Sequence, residues 1–200
     1  MRTLAIVILS LALATAVATA DTFRSEPNIL IPDNLKAGVS DTLDASPSCT
    51  ISDVDIALEI THTWIGDLLI QVSHGATTVD LVDRPGRAPA GTNVGCSSDL
   101  ACVRQIVLDD DGGGIEIECA APAACTTCFP GGQVPAANYI PNEPLTAFDT
   151  TDQVGEWILL VADNEALDTG TLCAWELRTT CGPSAVEPTT WGNIKARYSN

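Results

Sequence analysis

The sequence predicts an all-β fold, an antiparallel β-sandwich or jelly roll. Three observations predict it. Apolar and polar residues alternate with a period of two along several short runs, the mark of half-buried strands. Turn residues (Gly, Pro, Asn, Asp) separate those runs at a spacing of roughly 8–12 residues. Between residue 21 and the C-terminal tail, no window repeats its apolar residues at the helical period.

The first element is not part of the fold. "MRTLAIVILSLALATAVATA" places Arg2 before an apolar run from Leu4 to Val17 and ends in Ala18-Thr19-Ala20. This predicts a secretory signal peptide, residues 1–20, cleaved after Ala20. The alternative, a retained anchor, needs about 20 apolar residues to span a bilayer, more than the run offers. No later stretch is apolar enough to span. The domain is expected over residues 21–181, with a linker and tail over 182–200.

Residues 21–48 are mixed, with Pro27, Pro32 and Pro47 around a short apolar "NILIP". In "SDVDIALEITH", Val54, Ile56, Leu58 and Ile60 alternate with Asp53, Asp55, Ala57 and Glu59, which predicts a strand with one wet face. A Gly66-Asp67 turn leads into a second strand, Leu68–Val72. A third, Thr77–Val82, follows the His74-Gly75 turn, so the three read as a meander. "RPGRAPAGTNVG" is a loop. "RQIVL" and "GIEIE" flank "DDDGGG" and read as a hairpin. Residues 119–144 are a long Cys-, Pro- and Gly-rich loop, expected to be stapled by Cys119, Cys125 and Cys128. "GEWILLVAD" is apolar on both faces, which predicts a central strand covered on both sides. "TGTLCAWELRT" closes the domain with Cys173, Trp175 and Leu177 on one face. In the tail, Trp191, Ile194 and Tyr198 fall at helical spacing with Lys195 and Arg197 elsewhere, one or two amphipathic turns weakened by Gly192. The tail reads either as a recognition signal for export or anchoring, or as a segment that packs or frays.

Charge narrows the function. All 26 acidic side chains and eight of the nine basic ones lie beyond residue 20, a formal charge of −18. That excludes nucleic acid as a partner, because phosphate binding needs clustered Lys and Arg. It suits a secreted protein and a divalent cation. The eight cysteines, Cys49, Cys96, Cys102, Cys119, Cys125, Cys128, Cys173 and Cys181, behind a leader predict disulfides in an oxidising compartment. They allow about a hundred pairings, so the connectivity stays open. Cys125-Thr-Thr-Cys128 has zinc or redox spacing, but lacks a second such pair and a nearby histidine.

Catalysis finds little to work with. His62 and His74 are the two histidines. His62 continues the inward-facing strand row, where histidine is usually a hydrogen-bonded packing residue. His74 is expected to be exposed at a turn. No Gly-x-Ser-x-Gly elbow occurs, thiols behind a leader are expected to be oxidised, and among so many acids no glycosidase-like carboxylate pair stands out. No Asn-x-Ser/Thr sequon occurs either. Calcium, which takes loop carboxylates and carbonyls, is the better chemical expectation. Its candidates are Asp109, Asp110 and Asp111 before three glycines, and Asp163 and Asp168, with Asn164 and Glu165, in "ADNEALDTG". Ordinary turn chemistry is the alternative for both loops. Asp67 either holds a turn or holds an ion.

The segments "IPDNLKAGVSDTL", "ISDVDIALEITHTWIGDLLIQVSHGATTVDLVDRPG" and "NEPLTAFDTTDQVGEWILLVADNEALDTGTLCAWELR" together resemble the P domain, also called the Homo B domain, which follows the subtilisin-like catalytic domain of proprotein convertases and many bacterial secreted proteases. The resemblance covers residues 28–180. It rests on the histidine-turn-"GDL" strand opening, the "RPG" after the third strand, and "G-E-W-x-L-x-V-x-D" followed by "D-T-G-T-L-x-x-W-x-L". It implies a jelly-roll-like (galactose-binding-like) sandwich of eight or nine strands that tunes a protease's folding, stability, calcium dependence and pH dependence without being the catalyst. It implies that Asp67, Asp163 and Asp168 occupy acidic loop positions where bacterial members often carry calcium, and it favours a Cys96–Cys119 pair. The cysteine-rich insert at 96–128 is longer than a furin-like pattern needs. No catalytic domain is expected before "ILIP", so serine endopeptidase activity is not expected to transfer to these 200 residues. The expectation is a secreted or cell-surface, non-catalytic accessory module, calcium-stabilised, that binds a protein, a secreted subtilisin-like protease above all, or a surface polymer. The alternatives are a structural or adhesive surface protein sorted by its tail, and a hydrolase with a carboxylate pair.

Overall fold

The computed structural model describes residues 18–87, 95–118, 129 and 131–182. Eleven strands form two sheets that face each other across one core. The smaller sheet holds β3 (Val39–Ala45), β5 (Leu68–His74), β6 (Thr77–Asp83) and β10 (Gly155–Asp163), in the order β3-β10-β5-β6. The larger holds β1 (Thr19–Ser25), β2 (Ile29–Ile31), β4 (Ile51–His62), β7 (Ile106–Leu108), β8 (Ile115–Glu116), β9 (Asn138–Ile140) and β11 (Gly170–Cys181). Its order is β1-β11-β4-β7-β9-β8, with β2 also on β11. Two short 3-10 turns, Ile65–Asp67 and Leu145–Phe148, are the helical elements among the described residues. The all-β sandwich is as expected.

Period two explains the core. Val54, Ile56, Leu58, Ile60 and His62 of β4 are all buried, and Leu68, Ile70 and Val72 of β5 face them from the other sheet. Trp157 and Trp175 are fully buried, one from each sheet. Each fully buried Leu or Ile contributes about 1.5–3 kcal/mol. The long antiparallel ladder of β4 and β11 runs from Ile51↔Cys181 to His62↔Gly170. Its register shifts twice, at a Cys173 bulge between Leu172 and Ala174 and again between Thr180 and Cys181.

That bulge corrects one expectation. Cys173 is not on the face of Trp175 and Leu177. As the extra residue it is half-buried, and the parity change it causes turns both Leu172 and Trp175 inward. Nor does β11 close the sheet: it pairs β4 on one side and β1 and β2 on the other. The meander also fails in part. β5 and β6 form the expected hairpin, but β4 lies in the opposite sheet, and the 3-10 turn at Ile65–Asp67 carries the chain across. Alternation defines a strand, not its sheet.

The "DDDGGG" hairpin is overturned as well. β7 and β8 do not pair; β9 lies between them, parallel to both. The loop crosses over β9 because its glycines allow contact with backbone: a Cβ on Gly114 would stand 2.6 Å from the Asn138 carbonyl oxygen. β10 is central in pairing, flanked by β3 and β5, yet its outer face is not covered: Ile158 is 38% exposed. Residues 21–48 supply β1, β2 and β3, which the sequence left undivided. In β3, the row Val39, Asp41, Leu43, Ala45 is broken by an acid. Asp41 accepts the Trp175 indole N–H at 2.7 Å, so a polar residue occupies an inward place. Thr19 and Ala20 of β1 pair with Cys181 and Thr180, on the leader side of the expected cleavage, and Asp21–Ser25 continue that pairing.

Two disulfides lie within the described residues. Cys49–Cys181 ties the start of β4 to the end of β11, and Cys102–Cys173 ties a loop to the β11 bulge. Cys96 is also disulfide-bonded; Cys119, Cys125 and Cys128, with the Cys96–Cys119 pairing, lie outside the described residues, as do the leader through residue 17 and the tail from 183. Gly114→Ala is expected to destabilise the fold by about 1–3 kcal/mol, read as a lower urea midpoint. An unchanged midpoint would show that the loop does not cross β9 this closely.

Candidate functional site

The acidic residues that the sequence singled out separate into two places. The first lies at one end of the sandwich, where β4 ends and β10 ends. His62 closes β4 opposite Gly170. A Cβ at Gly170 would stand 2.7 Å from the imidazole Cδ2, so glycine there admits the ring. The ring is fully buried; Nδ1 lies 3.0 Å from the Trp64 carbonyl oxygen and Nε2 lies 3.4 Å from Asp163 Oδ2. Asp163, equally buried, ends β10 and uses Oδ1 to accept the Glu165 N–H at 3.0 Å. His62 and Asp163 thereby join the two sheets.

Asp67 completes the 3-10 turn beside them and is 3% exposed. Burial, then the nearby charges of Asp163 and Asp168, push its carboxyl up to about 6, against the pull of Arg87. The "RPG" turn supplies the cations. Arg84 adopts φ +55° and its N–H bonds the Leu68 carbonyl oxygen. Arg84 Nη2 and Arg87 Nη1 meet Glu165 Oε1 at 2.5 and 2.6 Å, and Arg87 Nη2 stands 3.7 Å from Asp67 Oδ1. The two guanidinium groups hold the Glu165 carboxyl below its usual range. Asp168 accepts the Thr63 hydroxyl at 2.5 Å. Between them opens a cleft of about 230 Å³ lined by Trp64, Asp67, Arg87, Glu165 and Leu167. Leu167 is 94% exposed at φ +97°, its N–H held by Asp33 Oδ1 at 2.9 Å.

The second place is the crossing loop. Asp109 accepts N–H bonds from Asp111, Gly112 and Asn138 Nδ2, which is turn chemistry. Asp110 accepts the Thr146 N–H, and Asp111 points to solvent. Asp53 and Asp55 of β4 are their neighbours. Burial first, then Asp109 and Asp53, push the Asp55 carboxyl up to about 6. Close by, Glu118 accepts the Asp83 N–H at 2.6 Å and lines a cavity of about 310 Å³ with Asp110, Glu116 and Asn142. Burial pushes the Glu118 carboxyl up to about 7.

At both places the chain's own donors already engage carboxylates that a calcium ion would use. Calcium takes about six to eight oxygens. At the cleft a guanidinium already faces Asp67, and both Asp163 oxygens face nitrogen groups. Among the described residues, three ligand atoms come within 4.8 Å of one another only at Asp21, Cys49 and Cys181, and those two sulfurs form a disulfide.

His74 is not free at its turn. Nδ1 and Nε2 lie 2.9 and 2.7 Å from the carbonyl oxygens of Glu156 and Asp152, and the ring stacks on Trp157 at 4.2 Å. Both imidazoles therefore have structural partners at both nitrogens.

Comparison with protein-family models finds no match, and no curated protein matches. Among solved structures the chain is similar to the serine protease of Aeromonas sobria, at 14% identity and a TM-score of 0.49, over 86% of this chain and 28% of that one. It is similar at 15% identity and a TM-score of 0.48, over the same shares, to Aeromonas sobria serine protease (ASP) in complex with the chaperone ORF2. The chain thus spans 28% of the length of each.

Sequence reasoning placed Asp67, Asp163 and Asp168 in acidic loops; Asp67, at the end of a 3-10 turn, lines the cleft with Asp168, whereas Asp163 ends β10 and is buried beside it. It missed Arg84 and Arg87 as the counter-charges, and offered Glu165 only as a further acid of that loop. The signal was present: two arginines three residues apart around Pro-Gly, in a chain with nine basic residues.

Carboxyls raised on folding bind protons more tightly in the folded chain. Their stabilisation is full below the ordinary carboxyl range and is lost as pH rises through the folded value. The melting temperature is therefore expected to fall between pH 4.5 and about 7, through Asp55 and Asp67 and then Glu118. Glu118→Gln should flatten the upper part of that fall. A wild-type curve flat across this window, followed by circular dichroism, would contradict the assignment.

Proposed function

We propose that this protein is a secreted, non-catalytic β-sandwich module of the P-domain type that binds a protein partner in trans, a subtilisin-like serine endopeptidase being the partner that the resemblance points to. One observation carries the reading. The separate segments that make up the resemblance, the "GDL" opening, the "RPG" turn, the "V-x-D" strand end and the "D-T-G" loop, converge on one cleft through Asp67, Arg84, Asp163 and Asp168. Residues scattered over a hundred positions meet there, so they act as one structural unit. The disulfides fit an oxidising, extracellular setting, and among the described residues no helix is long and apolar enough to cross a membrane. The commitment of both imidazoles to structural contacts supports a non-catalytic role.

The cleft's rim offers the contact. Leu167 is almost fully exposed at a positive φ that a leucine adopts at a cost of about 1–3 kcal/mol. Strain of this kind concentrates where a side chain is presented to a partner. Leu167→Gly should keep or raise the melting temperature, because glycine relieves that conformation. The same variant should weaken binding to a subtilisin-like protease from the same secreted fraction by about tenfold or more, measured by biolayer interferometry. If the wild-type protein forms no complex with such a protease and does not alter its folding yield or thermal inactivation, the accessory reading is abandoned.

A further inference from the structure

The cleft poses a charge problem that the resemblance would answer with an ion. Asp67, Asp163, Glu165 and Asp168 gather at one end of the sandwich, and the first two are buried. Carboxylates so placed need a cation, a proton or a full set of donors. Here each has a partner from the chain itself. His62 and the Glu165 N–H serve Asp163, the Thr63 hydroxyl serves Asp168, and Arg84 and Arg87 converge on Glu165. Arg87 also reaches toward Asp67, its Nη2 at 3.7 Å.

We infer that the Arg87 guanidinium, with Arg84 fixing Glu165 beside it, takes the place of a divalent cation in this cleft. The backbone is arranged for that role. Arg84 sits at φ +55°, its N–H bonds the Leu68 carbonyl oxygen, and the Arg87 N–H bonds the Arg84 carbonyl oxygen, closing a turn that sends both guanidinium groups to Glu165. Among the described residues, the Nε atoms of Arg84 and Arg87 are buried without a hydrogen-bond partner. Burying a donor unpaired is unfavourable, so these side chains are drawn in by charge and not by a complete hydrogen-bond set. A guanidinium beside Asp67 also repels a second cation. The consequence is a sandwich in which two guanidinium groups, with neutral donors, serve four cleft carboxyls without calcium, and whose stability responds to salt instead.

The inference is read on the isolated protein, so it stands or falls separately from the partner reading. Trp64 lines the cleft and can sensitise terbium luminescence, terbium being a probe for calcium sites. The wild-type protein should melt at the same temperature in EGTA and in millimolar calcium, and give no tryptophan-sensitised terbium emission above that of Trp64→Phe. Arg87→Gln should melt several degrees lower in EGTA, regain most of the loss in calcium, and acquire terbium emission that the added change Asp67→Asn removes. Arg87→Lys, which keeps the charge, should stay calcium-independent, and it serves as the test if Arg87→Gln does not fold. Two results would overturn the inference: wild-type calcium stabilisation that Asp67→Asn abolishes, or Arg87 variants that melt like the wild type and gain no terbium signal.

Discussion

The β4–β11 ladder is the constraint on which the rest depends. It runs the full length of both strands and fixes which residue of one faces which of the other. Because the register sets Gly170 opposite His62, the imaginary side chain at 170 that would fill the ring's place does not exist, and the imidazole turns into the core. From there it meets Asp163, the last residue of β10 in the other sheet. One hydrophobic ladder thus decides where a polar contact between sheets forms. The Cys173 bulge within the same ladder keeps Leu172, Trp175 and Leu177 all inward, and Cys49–Cys181 fastens its far end.

Once the ladder and the His62–Asp163 contact are in place, charge accounts for most of the polar detail. The chain holds 26 acids against nine bases, so each arginine matters. Arg24 joins Glu59 and Glu176 on the outer face of the larger sheet, and Arg178 also pairs with Glu176. These pairs are partly exposed, where each is worth about 0–1 kcal/mol. At the cleft, Arg84 and Arg87 face carboxyls of which Asp67 is buried, so they matter more. Around Asp53, Asp55 and Asp109–Asp111 no arginine compensates to the same degree, and the carboxyls of Asp53 and Asp55 move toward the protonated form. The same excess of acid thus meets Arg84 and Arg87 in one place and only the weaker pull of Arg178 in the other, and burial raises the carboxyls of Asp67 and Asp55 alike.

This division bears on function. A cleft whose charges are satisfied internally is a rigid feature, and what it presents outward is its rim. Leu167, pinned by Asp33 and by the Asp163–Glu165 and Thr63–Asp168 contacts, is apolar, exposed and held in a conformation unfavourable to it. One edge of the smaller sheet is protected in a similar way: the Glu143 and Glu118 carboxylates take the N–H groups of Asp80 and Asp83 on β6. That arrangement discourages strand addition there.

The sequence by itself determined the strands with clean alternation, β4, β5, β6 and the ends of β10 and β11, because period two is a local property. It also determined that Asp168 lies in a loop and that His62 faces inward, whereas Asp67 ends a 3-10 turn and Asp163 ends β10. It did not reveal β1 and β3, where Thr, Asp and Arg interrupt the apolar rows; Asp41 has its reason only in the Trp175 indole it bonds. It misread "DDDGGG" as a hairpin because glycine and aspartate serve a turn and a close crossing equally well, and only β9 distinguishes the two. Tertiary structure alone decided which sheet each strand joins, that His74 lies against Trp157 and two carbonyls, and that Arg84 and Arg87 pair with Glu165, 81 and 78 positions away. The physical reason is that alternation records burial at each position, whereas pairing and charge compensation depend on which distant segment arrives beside it.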